Sequence, residues 1–318
     1  MGNQIVQSTD VRLPTILIPY PGPCEHSSCH DVFVYLRPET NGVRVESTML
    51  RVVHTHPRYK ERMKLAYLAN IPGDFIVQKK IIEQHYVSEL YFAVNGKSAF
   101  TEGMQKRFEE YFHTSFSEAA IIGAFEAMKV LNIGYNELFN LWVPASEMLK
   151  VCGQTIKKYN NKYIINYDIP ALLHKNNNRT DIAVMILRTD LTYTDIHEII
   201  DAMGKALIQE HILDPGKPLS RIFHYSKGPF GQIRDAIGYL YTEDIRHVSF
   251  KSIAFADYLI KKGVTMHQIL GAIRNPIMQF RDEDGGVIEE ELFQYTADDS
   301  FEKAYKKYSS IVSQTVLQ

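Results

Sequence analysis

The first sharply patterned stretch of the chain is DVFVYLR (31–37), a short run dense in β-branched and aromatic residues that reads as a strand. PETNG (38–42) supplies an Asn-Gly turn signal, and VRVESTMLRVV (43–53) opens with apolar/polar alternation. Residues 31–53 therefore read as a β-hairpin. His56-Pro57 closes its second strand. RYKERMKLAYLAN (58–70) is helical by composition, Pro72-Gly73 breaks it, and Asp74 caps a further helix to about residue 88. LYFAV (90–94) reads as one more strand.

The middle is patterned for helices. Met104, Phe108, Tyr111 and Phe112 share one helical face. Ser115 and Glu118 form a capping box for a helix running to residue 131, which buries Ile121, Phe125 and Met128. Residues 136–160 continue helical, with Pro144 at a helix start. KYIINY (162–167) and DIAVMIL (181–187) then read as strands. The polar HKNNNR (174–179) between them divides the chain into an N-terminal region, 1–175, and a C-terminal region, 176–318.

Thr192 and Asp195 make a second capping box, and the helix behind it carries Ile196, Ile199, Ile200, Met203 and Leu207 on one stripe. DPGKP (214–218) is a break. Helices follow at about 229–241, 252–262 and 265–274, and Asn275-Pro276 ends the last. Residues 277–295 form a hairpin around Asp284-Gly285-Gly286, and a terminal helix spans 300–313. The pattern as a whole predicts an α+β fold with a helical majority, an N-terminal β-hairpin and a C-terminal mixed α/β region.

Composition narrows the function more than the fold. Of 318 residues, 45% are hydrophobic and 23% charged, the balance of a globular chain rather than a disordered one. Thirty-five basic residues face thirty-seven acidic ones, so the net charge of −2 exerts no global pull on nucleic acid or an anionic membrane. No apolar run approaches the ~20 residues of a membrane helix. MGNQIVQSTD lacks a signal peptide's basic and apolar segments, and Val6 stands where a myristoylation motif needs Ser or Thr. Three cysteines, an odd number, argue against structural disulfides and for a reducing cytoplasm. Nineteen tyrosines imply a core with many hydroxyls to satisfy, without naming a ligand.

The conspicuous chemistry lies between Cys24 and His56. Two of three cysteines and four of twelve histidines fall there: Cys24, His26, Cys29, His30, His54 and His56. In the expected hairpin the start of the first strand meets the end of the second, setting His26 or Cys29 opposite His54. Thiolate and imidazole ligands converging there suit zinc in a tetrahedral shell, with iron as the alternative. Four closed ligands would make a structural site. An open position, with Glu25 or Asp31 as a base, would support metal-assisted hydrolysis. Residues 52–56, apolar and then His-Thr-His, resemble the metal-binding strand of barrel-type metal-dependent hydrolases, but the remaining chain lacks that barrel's strand–helix alternation.

HYSKGPFGQIRD (224–235) is a second candidate. Backbone N–H groups at a helix start, with Lys227 and Arg234 nearby, form an anion site, and His224 is an acid/base candidate. An ordinary Gly/Pro turn accounts for the same residues. The segment 256–275 has helix–turn–helix cadence, but Leu259 stands where close packing needs a small residue, and a plain helical hairpin fits better. Arg37, Arg44, Glu46 and Arg51 read as a solvated face. The reading is a metal-dependent, hydrolytic enzyme of a small molecule, with a non-catalytic binding or regulatory protein holding at most a structural metal as the alternative.

Overall fold

The computed structural model describes residues 11–24 and 29–317. In chain order its strands are β1 (Thr15–Ile18), β2 (His30–Leu36), β3 (Met63–Ile71), β4 (Ala120–Gly123), β5 (Met148–Val151), β6 (Gln154–Tyr159), β7 (Lys162–Ile165), β8 (Ile182–Thr189), β9 (Phe223–Tyr225), β10 (Ile277–Arg281), β11 (Val287–Glu291) and β12 (Ile311–Gln314). They build three sheets, ordered β1-β3-β8-β2-β9, β4-β7-β6-β5 and β11-β10-β12. The five-stranded sheet is antiparallel throughout, taking β1, β2 and β3 from before residue 175 and β8 and β9 from after it.

Helices hold 46% of residues and strands 21%, so the fold is mixed α/β and the expected helical majority is corrected. The expected hairpin over 31–53 is corrected too. Its first half is β2, but residues Val43–Thr55 form a helix, and β2 pairs with β8 and β9 instead. The physical reason is a period of 3.6. Val45, Thr48, Met49 and Val53 are buried on one stripe that continues past the brief alternation at 43–46. Residues 58–70, rich in helix formers, supply β3 instead, because the strand is completed on both sides by β1 and β8. Pairing within a sheet overrides such weak local preference. LYFAV lies within the helix Val87–Asn95, and 136–160 divides into a short helix and the β5–β6 hairpin.

The helix expected from Ser115 to 131 is shorter, Ala124–Leu131, because 120–123 pair with β7 as β4, and the terminal helix ends at Ser309 because 311–314 pair with β10 as β12. Several other elements occur as the pattern predicts. Thr192 caps the helix Tyr193–Gln209, whose Ile196, Ile199, Ile200, Met203 and Leu207 are all buried. The helices Pro229–Tyr239, Ala254–Lys261 and Met266–Arg274 occur where expected, as does the β10–β11 hairpin. Among the described residues no helix is long and apolar enough to cross a membrane.

The five-stranded sheet separates two cores. Period-two alternation sends Val32, Val34 and Leu36 to one face, against the helices Val43–Thr55 and Tyr193–Gln209. Phe33 and Tyr35 point to the other, under Phe230, Ile233, Ala236 and Tyr239 of the helix Pro229–Tyr239. The functional candidates gather on this second face.

Candidate functional site

Tyr35 and His224 are directly paired residues of β2 and β9, so their side chains leave the sheet on the same face. Their rings stack at 4.6 Å. Asp235 comes down onto them from the helix Pro229–Tyr239, and His85 from the short helix Ile81–His85. The two helices approach closely beside Gly238, where a Cβ would meet Ile81 at 3.3 Å and the His85 ring at 3.9 Å.

The result is a compact triad. His85 Nε2 is 3.5 Å from Asp235 Oδ1, and His224 Nε2 is 3.7 Å from Oδ2. One ligand atom from each residue lies within 4.8 Å of the other two. A metal with ligand bonds near 2.1 Å sets tetrahedral ligands about 3.4 Å apart, so modest closure gives a binding geometry. Asp235 is wholly buried, and neither carboxylate oxygen has a hydrogen-bond partner. His85 Nδ1 and the Tyr239 hydroxyl are likewise unpartnered. The His224 side chain keeps 21% exposure, the most of the three.

Burial keeps the two imidazoles in their ligating form, while the Arg234 and Arg37 charges that help lower them also oppose a bound cation. Burial, followed by the nearby Arg234 charge, holds His85 well below its usual 6.5. Burial also lowers His224, although the Asp235 carboxylate opposes it. Both imidazoles are therefore neutral near pH 7, the form that ligates metal. The Tyr35 hydroxyl lies 3.4 Å from His85 Nε2 and 3.2 Å from the Tyr86 hydroxyl. Arg37 Nη1 donates to Tyr86 at 3.5 Å. Burial raises the Tyr35 and Tyr239 phenols well above 10, so both stay protonated donors.

At the position just before Asp235, Arg234 lies 4.0 Å from Glu89 and 4.1 Å over the Phe293 ring. Glu291 joins this group. A Cβ on Gly153, whose φ of +78° already favours glycine, would overlap the Glu291 carboxyl. Burial, then the Glu89 charge, pushes Glu291 up to about 8. A folded pKa above the ordinary 4.5 means that the folded state holds a proton the unfolded chain has released. Stability from this group is complete below about pH 4.5 and is lost as pH rises toward 8. Glu291→Gln is expected to flatten that fall and to add about 2–4 kcal/mol at pH 8, read by urea unfolding between pH 5 and 8. An unchanged profile would refute the assignment.

The residues singled out between Cys24 and His56 have other placements. The sulfurs of Cys24 and Cys29 form a disulfide across Cα atoms 6.0 Å apart, which corrects the expectation of free thiols. Five residues of chain let the two Cα atoms approach within bridging range, and a bridged sulfur has no thiolate to give a metal. Glu25 and His26 lie outside the described residues. His30 opens β2 and stacks on Tyr193 at 5.3 Å. His54 is exposed in the last turn of its helix, and His56 beyond it stacks on Tyr59 at 4.7 Å. With 43–55 helical, the register that aligned His54 with His26 or Cys29 does not exist. Asp31 accepts from Arg188 at 2.8 and 3.0 Å and from the Tyr20 hydroxyl at 2.6 Å. Lys227 is exposed over the Tyr225 ring, while Arg234 faces Glu89, so the two do not converge. Of the expected residues, His224 is the one placed in the triad. His85 and Asp235 carry no motif that marks them.

No protein-family model, curated protein or solved structure matches this chain.

Proposed function

We propose that the protein is a metal-dependent enzyme of hydrolytic type, holding one zinc or iron ion on His85, His224 and Asp235. The observation that carries this is Asp235. A fully buried carboxylate with neither oxygen hydrogen-bonded, between two neutral imidazoles and with the Arg234 charge acting on it only at a distance, is costly, and a cation bound among them would offset that cost. Two histidines and one carboxylate are a known ligand set for both metals, and they leave positions open for water and substrate. A bound ion of this kind supplies an activated water and polarises a substrate oxygen. The chain's own part is to hold the ligands and to offer donors. Tyr35 and Tyr239 keep their protons, and their hydroxyls can stabilise charge that develops on a substrate oxygen. Substrate would approach from the side of His224, the one triad residue with appreciable exposure.

Metal analysis of protein purified without a histidine tag and without added metal tests the reading. The expected result is about one zinc or iron per chain, lost in His224→Ala. Chelated protein should lose hydrolytic activity on a panel of carboxylic and phosphoric esters and recover it with metal. Metal far below one equivalent, together with no thermal stabilisation by added zinc or iron, would overturn the proposal. A metal whose removal unfolds the chain would instead favour a structural clip in a non-catalytic protein.

A further inference from the structure

A cavity of about 760 Å³ opens beside the end of β2, a size typical of small-molecule sites. Two of its lining cations are satisfied by carboxylates: Lys175 pairs with Glu39, and Lys217 with Asp214. Three others are not. Arg37 donates from Nε to the Ser220 carbonyl at 3.1 Å. Lys157 donates to the Leu141 carbonyl at 2.6 Å and lies 3.4 Å over the Tyr167 ring. Arg221 donates to the Asn140 side chain at 3.0 Å and lies 5.0 Å over Phe139. Among the described residues none of the three has a carboxylate within ion-pair distance, and Asp168, buried on the same wall, is the one carboxylate whose charge reaches Arg37 and Lys157 without pairing with either.

We propose that this cavity binds a small aromatic oxyanion, a phosphate ester or carboxylate on a planar ring, held by Arg37, Lys157 and Arg221. Unpaired guanidinium and ammonium groups recognise oxyanions through charge-assisted hydrogen bonds. Lys157 is the strongest of the three observations, because it is 6% exposed and its direct partners are a carbonyl and a ring, with the Asp168 carboxylate acting on it only at longer range. Burial draws its pKa down to about 8 although the Asp168 charge opposes it, and an anion in direct contact would raise it again. The ring specificity comes from the walls. Phe139 and Tyr167 line the cavity, and Trp142, the chain's single tryptophan, lies on its edge with 80% exposure. A large flat side chain left in water beside a cavity is a stacking surface for a ligand.

This site stands whether or not the triad holds metal, so its test uses chelator-treated protein, in which phosphate has no ion to bind. Phenyl phosphate, benzoate and inorganic phosphate are titrated, read by Trp142 fluorescence and by calorimetry. The expected result is saturable binding of phenyl phosphate or benzoate at ~1 mM or tighter, with inorganic phosphate weaker. Lys157→Met and Arg221→Ala should each weaken it by about tenfold or more. Affinity should fall as pH rises through about 8, where Lys157 loses its proton. Arg221 is exposed, so its variant tests the site even if Lys157→Met fails to fold. The stronger of phenyl phosphate and benzoate identifies the headgroup. No saturable binding by about 10 mM, or binding unaltered in Arg221→Ala, would overturn the proposal. Inorganic phosphate binding as tightly as the ring-bearing anions would overturn its aromatic part.

Discussion

Asp235→Asn is expected to abolish stabilisation by added zinc while leaving the metal-free protein at least as stable as the wild type. Zinc at a hundred times its dissociation constant should add about 2.7 kcal/mol to the wild type, a rise in Tm of about 4 °C for a chain of this length. The variant should show neither. The second half of the expectation is the more discriminating. Removing a charge from the core normally destabilises when the charge has a partner. Here the carboxylate is wholly buried and its oxygens make no hydrogen bond. Without metal it is a cost, and a neutral amide should recover about 1–3 kcal/mol of it. The rival reading makes Asp235 the counter-ion of a protonated histidine. The imidazoles argue against that at neutral pH, because burial holds both below their usual value. Depressed imidazole pKa values also fix the sign of the pH dependence. Below about 6.5 the unfolded chain takes up protons that the folded site refuses, so stability and metal affinity fall together as pH drops. A metal-free Asp235→Asn that is several kcal/mol less stable than the wild type, still stabilised by zinc, would refute the metal assignment.

How much of this site was legible beforehand depends on the kind of signal each residue carries. Strands β2 and β8 announce themselves through β-branched runs, and the helix Tyr193–Gln209 through its capping box and apolar stripe. Those signals are local. The helix Val43–Thr55 was obscured because its first four residues alternate, and an Asn-Gly pair stands just before it. The difference reaches the candidate site. The ligand cluster between Cys24 and His56 relied on a hairpin register, and a helix in the second position removes the register entirely. Strand β3 was hidden for a different reason. Its Met, Lys, Leu and Ala favour helix locally, and only the strands on either side make it extended.

The triad was legible only in part. His224 and Asp235 fall within one segment, HYSKGPFGQIRD, whose Gly and Pro residues mark a turn into a helix. What the sequence cannot express is that β9 joins the edge of β2, which puts His224 beside Tyr35. Nor does it express that His85, in an unremarkable IIEQHY, packs against the same helix beside Asp235 and His224. Convergence of three separate elements is a property of topology, and residue spacing carries no record of it.

The largest stability effect should come from Arg188. Arg188 and Asp31 are cross-strand partners of β8 and β2, and the guanidinium grips both oxygens of the carboxylate. Tyr20 adds a third donor, and Arg188 also reaches the Gly22 carbonyl, so the pair ties the lead-in segment to the sheet. Asp31 is 4% exposed. Arg188→Met keeps the aliphatic stem and strands that carboxylate, which should cost about 3–5 kcal/mol in urea unfolding. Most of that cost belongs to the orphaned charge rather than to the lost attraction. Asp31→Leu combined with Arg188→Met should therefore recover much of it, with a coupling of about 1–3 kcal/mol in the double-mutant cycle. A loss below about 1 kcal/mol in the single variant would mean that water reaches Asp31. Metal content separates this structural pair from the triad. Arg188→Met should unfold more readily and still carry its metal while folded, whereas Asp235→Asn should lose the metal and keep its fold.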